Sequence, residues 1–410
     1  MSTRGPNHTK EWVLFGVVLA ALLFVAPLTL SDFRLNLLGK FLALAVLALG
    51  LDLAWGYTGI LSLGQGVFFG IGGYCMAMYL KLSVGTAGTY QVELPDFMVW
   101  NGLTALPWFW KPMYHFWVAM LCAILVPAVF ATIFGLLTFR SRVQGVYFAI
   151  ITQALALVAS LLLIGQQPYT GGTNGITDFK DLLGFPLGDN KTQRGLYIAT
   201  VLCLAVSYVF CRWLIRSKFG RVLAAIRDAE NRARFLAYDT VMYKVFVFAV
   251  SGALAGLAGA LFVPQVGIIS PSNIGVVPSI EMAIWVAVGG RGTLSGAVLG
   301  AVLVNGAKSA FSESFPEFWL YFLGLLFVGV VLFFPDGAIG VFRKAGGVFR
   351  RSVRSAPEVQ ADAPPEAKPA EPISGAKFAP SVSGHEAVHP LPGVSPAAPL
   401  SGSFDERLHP

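Results

Sequence analysis

The chain has 410 residues, of which 55% are hydrophobic and only 12% charged. No water-soluble domain of this size needs that much apolar surface, whereas a bilayer demands runs of about 20 apolar residues. The formal net charge of +7 does not call for nucleic acid, because the basic residues gather at the ends of apolar runs and in the C-terminal segment, as membrane orientation requires.

Apolar runs lie near 12–30, 41–58, 60–80, 116–139, 146–165, 195–214, 242–263, 280–290, 293–307 and 318–335. They predict an all-α polytopic membrane protein of about 8–10 transmembrane helices, some short or broken. The first run is followed by Pro27-Leu28-Thr29-Leu30, not by a small-residue cleavage site, so it reads as an anchor span and not as a signal peptide. The expected organisation is a cytoplasmic N-terminus over 1–11, a transmembrane domain over 12–340 and a cytoplasmic tail over 341–410.

Lys and Arg set the orientation. Arg4, Lys10, Arg140, Arg142, the segment 212–244 and Arg343 to Arg354 are expected inside. The loops 81–115, 166–194 and 264–279 carry no net basic excess of this kind and are expected outside. Arg34 and Lys40 run against the rule. With 264–279 outside and the tail inside, parity predicts that 280–307 makes two short crossings turning at Gly289-Gly290-Arg291-Gly292-Thr293. The count is then ten. Eight or nine spans with re-entrant pieces is the alternative, since irregular backbone at membrane depth is tolerated where protein or a cavity surrounds it.

Three stretches stand out. In 56–74 the glycines allow close helix approach, while Gln65 either bridges helices or faces a passage. The string Tyr169-Thr170-Gly171-Gly172-Thr173-Asn174-Gly175-Ile176 reads as an outside turn. In 212–244, Phe219, Val222, Ile226, Ala229, Ala233 and Leu236 form one stripe of a helix over 219–237. Asp228–Arg232 and Glu230–Arg234 are i,i+4 pairs in the favourable order. That helix suits docking into a partner's groove, although a basic loop also serves topology alone.

Of the ionisable residues in or near spans, Glu281 and Lys308 are expected at the interface, and Asp52 in a structural ion pair. The cysteines (75, 122, 203, 211) show no metal-like spacing. Of the five histidines only His115 lies in the body of the chain. No phosphate loop of the G-x-x-x-x-G-K-[ST] type occurs, so the chain is not expected to be an enzyme or to hold a cofactor. Residues 357–410 contain 11 prolines, which predicts disorder.

The run Gly220-Arg221…Ala225-Ile226-Arg227-Asp228-Ala229-Glu230…Tyr238-Asp239…Tyr243-Lys244, with Phe248 and Ser251 to Leu261 after it, resembles the coupling segment and next helix of branched-chain amino acid-type ABC importer permeases. Ser62-Leu63-Gly64-Gln65, followed by an aromatic residue and by Gly70, Gly72 and Tyr74, resembles the family's early transmembrane motif. Thr170-Gly171-Gly172 resembles a loop at the outer mouth of its pathway. The family has Gly where this chain has Ala237. The likeness covers roughly 35–340.

The strings 94–98, 106–110 and 263–272 resemble the family's urea-transporting branch; leucine, isoleucine, valine or short amides are the alternatives. The resemblance implies a bacterial inner-membrane location, a second homologous permease, two cytoplasmic ATP-binding subunits and a periplasmic binding protein. It places the substrate pathway at Ser62, Gln65, Phe68, Thr173 and Asn174. It places ATPase coupling at Arg221, Ile226, Arg227, Asp228 and Glu230. Two other classes compete. An energy-independent channel needs no coupling helix. An ion-driven transporter usually has mid-membrane carboxylates, for which only Asp52 is available.

Overall fold

The computed structural model describes residues 8–85 and 92–314, with isolated positions between 318 and 329. The disordered-tail expectation, and most of the run 318–335, lie outside the described residues.

Among the described residues, ten main helices follow one another. They are α1 (His8–Ala20), α2 (Asp32–Thr58), α3 (Gln65–Ser83), α4 (Phe116–Arg140), α5 (Val146–Gly165), α6 (Asn190–Arg216), α7 (Lys218–Phe235), α8 (Thr240–Val266), α9 (Val276–Gly289) and α10 (Leu294–Ser314). Helix α1 runs into a π turn over Ala21–Val25 and a last turn at Ala26–Thr29. Among the described residues, seven helices are long and apolar enough to cross a membrane: α2, α4, α5, α6, α8, α10 and the stretch Pro271–Gly289.

Burial divides the helices. Helix α2 is buried almost all round, as are α3 and α8. These three form the core, and their backbones come close because small residues face each other. A Cβ at Gly72 of α3 would collide with the Gly256 carbonyl of α8, and one at Gly259 with the Phe69 carbonyl. Helix α4 packs on α8 through Ala123, Pro127 and Ala131 and presents Leu121, Leu125, Val129 and Ile133 outward. That outer stripe recurs every four residues and is wholly apolar, which suits lipid.

Polar pairs fasten one end of the bundle, called the far end here. Asp32, at the start of α2, pairs with Arg194 of α6 at 2.9 Å. Lys81, in the last turn of α3, pairs with Asp96 at 2.9 Å and Asp178 at 3.5 Å. The opposite end carries α7 and is called the near end.

Several boundaries moved. The run 41–58 extends back to Asp32, because the charged first turns find Arg194 instead of breaking the helix. The run 60–80 is not one helix: α2 stops at Gly59, in the left-handed region (φ 80°), and α3 starts only at Gln65. The region 280–307 is two helices joined through Gly290–Thr293, as parity predicts. Two small strand pairs interrupt the all-helical pattern. Ile176–Thr177 pairs antiparallel with Ile268–Ile269, and Asp181–Leu182 with Phe185–Pro186. The first joins the loop after α5 to the loop after α8, a contact that helical periodicity does not encode.

Candidate functional site

Two places combine polar chemistry with unusual backbone. The first is where α3 and α9 begin. Both begin inside the bundle and not at its ends. Gln65 reaches Ser251, roughly 16 Å along α8 from the near end. The Gly66 amide donates to Ser279 Oγ at 3.2 Å, and Ser279 lies in the first turn of α9. The Leu63 amide donates to Thr152 Oγ1 of α5 at 2.9 Å. Hydroxyls from three other helices thus satisfy backbone donors or side chains that an ordinary helix would satisfy internally, which is how a broken helix survives at membrane depth. Sequence reading missed Thr152, Ser251 and Ser279. A lone hydroxyl in an apolar run is common, and only the fold shows which ones converge.

The predicted pathway residues separate into two groups. Ser62, Gln65 and Phe68 are fully buried at this break. Ser62 Oγ accepts from the Gly64 amide at 3.4 Å. Gln65 Nε2 donates to Ser251 Oγ at 3.0 Å, while its Oε1 is buried without a partner. Phe68 sits edge-on to Phe248, ring centroids 5.3 Å apart, in a cluster with Phe130, Phe134, Phe139 and Phe148. Thr173 and Asn174 lie elsewhere, exposed on the far-end loop after α5. The fold does not bring the two groups together within this chain.

The second place is α7 at the near end. Ser217 caps it, and Asp239 caps α8 by accepting from Val241 and Met242. Helix α7 is kinked: Ala229 has φ −157° and ψ 76°. The kink changes the expected pairing. Asp228 meets Arg227 at 2.9 Å and not Arg232, because the i,i+4 geometry is lost across Ala229. Beyond the kink Glu230–Arg234 forms as expected, at 2.6 Å. Glu230 also accepts from Lys244 Nζ of α8 at 2.6 Å and from Thr240 Oγ1 at 3.2 Å. Burial opposes its ionisation, but the bonds and charges of Lys244 and Arg234 outweigh this and hold the carboxyl below the usual carboxylate range.

The predicted coupling residues divide by face. Ile226 is buried, Glu230 turns toward α8, and Arg227 Nη1 donates to the Gly56 carbonyl near the end of α2 at 2.8 Å. These three grip the bundle. Arg221 and Asp228 are exposed and line an open groove of about 710 Å³ with Val222, Ala225, Arg232 and Leu236. The helix ends one residue short of Leu236 and turns through Ala237, whose φ of 61° is a left-handed conformation. Glycine adopts that conformation without strain, so Ala237 holds a conformation that the glycine of the resembled pattern would take at no cost.

Asp52 does not form an ion pair in the structure. It is fully buried, and its Oδ1 accepts from the Gly292 amide in the α9–α10 turn at 2.7 Å. Oδ2 is buried without a partner. Glu281 and Lys308 pair with each other at 2.7 Å, and Glu281 is 6% exposed. The four cysteines are free, and among the described residues no group of three His, Cys, Asp or Glu side chains is placed to hold a metal ion.

Discontinuous helices meeting at mid-depth, within a lipid-facing helical bundle, are the architecture of membrane transporters. Residues 33–331 match the family model described as branched-chain amino acid transport system / permease component, and the chain belongs to that family. It is 26% identical over 359 residues to the high-affinity branched-chain amino acid transport system permease protein LivM of Escherichia coli (strain K12), covering 82% of this chain and 77% of that protein. It is 24% identical over 320 residues to the probable LivM of Methanocaldococcus jannaschii, covering 72% and 89%. A shorter likeness, 31% over 230 residues, covering 53% of this chain and 61% of the relative, joins it to the autoinducer 2 import system permease protein LsrC of Yersinia pseudotuberculosis. No solved structure matches.

Proposed function

We propose that this chain is one of two homologous membrane-spanning subunits of an ATP-driven importer in a bacterial inner membrane, with both termini cytoplasmic. Two cytoplasmic ATP-binding subunits and a periplasmic binding protein complete the assembly. The observation that carries this reading is α7. It is a charged helix clamped to the bundle through Arg227–Gly56 and Glu230–Lys244, with a polar and apolar groove left open. Force applied to that groove passes directly to α2 and α8. The near end is then cytoplasmic. Solute passes the break at Ser62, Gln65 and Phe68, with Thr173 and Asn174 at the outer mouth.

Urea is the proposed solute, on the strength of the strings 94–98, 106–110 and 263–272. A second reading, a branched-chain amino acid, draws support from the LivM relatives, which are named as branched-chain amino acid permeases. An amide at the break suits either, since neutral hydrogen bonds of about 1 kcal/mol permit release.

The test is uptake of labelled urea and labelled leucine by cells with and without this gene, and with Gln65→Leu. Gene-dependent urea uptake is expected. Leucine uptake alone would transfer the assignment to the second reading, and uptake of neither would remove both. Gln65→Leu removes an orphaned oxygen along with one hydrogen bond, so thermal stability should hold while uptake falls. A proportionate fall in both would make Gln65 a helix tie.

A further inference from the structure

We propose that the cavity between α2, α9 and α10 is a transient binding site for a small solute that carries a carbonyl or carboxylate oxygen beside N–H donors. This deepens the permease reading and rests on it. The cavity measures about 520 Å³, within the usual range for small-molecule sites. Its polar lining includes Lys40, Asn273, Glu281, Asn305 and Lys308, and Trp285 is part of its apolar wall.

Position is the first argument. Lys40 lies roughly 12 Å into α2 from the far end, and Glu281 roughly 8 Å into α9. Phe69, which also lines the cavity, is one helical turn from Gln65. The cavity therefore runs alongside the chain break, from Lys40 on the far-end side to Glu281 and Trp285, which follow Ser279 along α9 toward the near end. A solute arriving from the far end would meet Lys40 before it reached the level of Gln65 and Glu281.

Chemistry is the second. Ionisable side chains inside a membrane protein are expensive and mark solute routes unless a structural partner accounts for them. Glu281 and Lys308 have such a partner in each other, which ties α9 to α10. Lys40 does not. Among the described residues no carboxylate lies within ion-pair distance of it, and its ammonium stands 5.8 Å from the centroid of the Phe262 ring. A free cation beside a paired carboxylate offers donors for an oxygen and, at Glu281, an acceptor for N–H groups. Urea presents both, as a carbonyl and two amino groups. An amino acid presents both, as carboxylate and ammonium. Asn305 spends its Nδ2 on the Ala301 carbonyl at 2.8 Å, which keeps its side chain fixed at the wall.

The test uses the complete transporter in proteoliposomes, with binding protein and ATP, and labelled urea or leucine as probe. The readout is solute moved per ATP hydrolysed. Lys40→Met breaks no ion pair, so the assembly should form and its ATPase should persist. The ratio is expected to fall about tenfold, the worth of one charge-assisted hydrogen bond. The double exchange Glu281→Lys with Lys308→Glu restores the tie between α9 and α10 but moves the carboxylate, and should lower the ratio as well. An unchanged ratio in Lys40→Met at wild-type uptake overturns the site. So does a parallel loss of uptake, ATPase and thermal stability in both variants, which marks a structural role. If the wild-type assembly takes up neither probe, both solute assignments fail and the site falls with them.

Discussion

Glu230 shows how much one side chain can join. It lies on α7, and its two carboxylate oxygens serve Arg234 on its own helix and Lys244 on α8. Lys244 is 8% exposed at its side chain, so its charge depends on this partner. Glu230→Gln should cost about 2 kcal/mol, since it leaves a charged donor facing a neutral amide. The measurement is the thermal midpoint of purified protein in detergent near neutral pH. The sign with pH follows from the lowered carboxyl value. The contribution is complete above the unperturbed 4.5 and disappears as pH falls through the lower folded value. Wild type should therefore lose its advantage over Glu230→Gln on acidification and keep it at neutral pH.

At the scale of elements, the core helices are set by what they lack. Gly72 and Gly259 of α3 and α8 stand where a methyl group would meet the opposing backbone. Gly72→Ala should push the two helices apart and cost about 1–3 kcal/mol. Gly16 of α1 has open space around the same position. Gly16→Ala should be neutral or slightly stabilising, as alanine favours helix. Thermal melts of the two variants side by side make the comparison, and equal losses would refute the close-packing account. The half-length α9 belongs to the same argument. Its first turn, at Ser279, is held by the start of α3, so each broken helix supports the other.

At the scale of the whole molecule, the two ends differ in kind. The far end is fastened by the surface pair Asp32–Arg194 and by Lys81, itself buried, which pairs with Asp96 and Asp178. The near end carries α7 and the Gly290–Thr293 turn, locked to α2 through Asp52 and Gly292. Arg291 is exposed there and stacks on Trp55 at 5.5 Å. If that end faces the cytoplasm, a cysteine at Thr293 and one at Arg232 should react with the same inside-restricted reagent in a chain freed of its native cysteines. A cysteine at Thr173 should react only from outside. Labelling of Thr293 and Arg232 from opposite sides would contradict the fold itself.

Composition and apolar run length by themselves determined that the chain is a helical membrane protein. Each span must satisfy its own backbone and shed polar side chains, and that requirement is written locally, residue by residue. Charge parity predicted that 280–307 turns at Gly289–Thr293, and two helices do meet through Gly290–Thr293. The 3.6-residue period gave α7 to within two residues at either end. What only the tertiary structure decided was how polar groups meet. Gln65 with Ser251, Gly66 with Ser279, Asp52 with Gly292 and Glu230 with Lys244 are separated in sequence by 186, 213, 240 and 14 residues. The kink at Ala229 and the inward turn of Ile226 belong with them. A hydroxyl or carboxylate in an apolar run carries no record of its partner. Only the close approach of helices, which small residues allow, brings donor and acceptor within bonding distance.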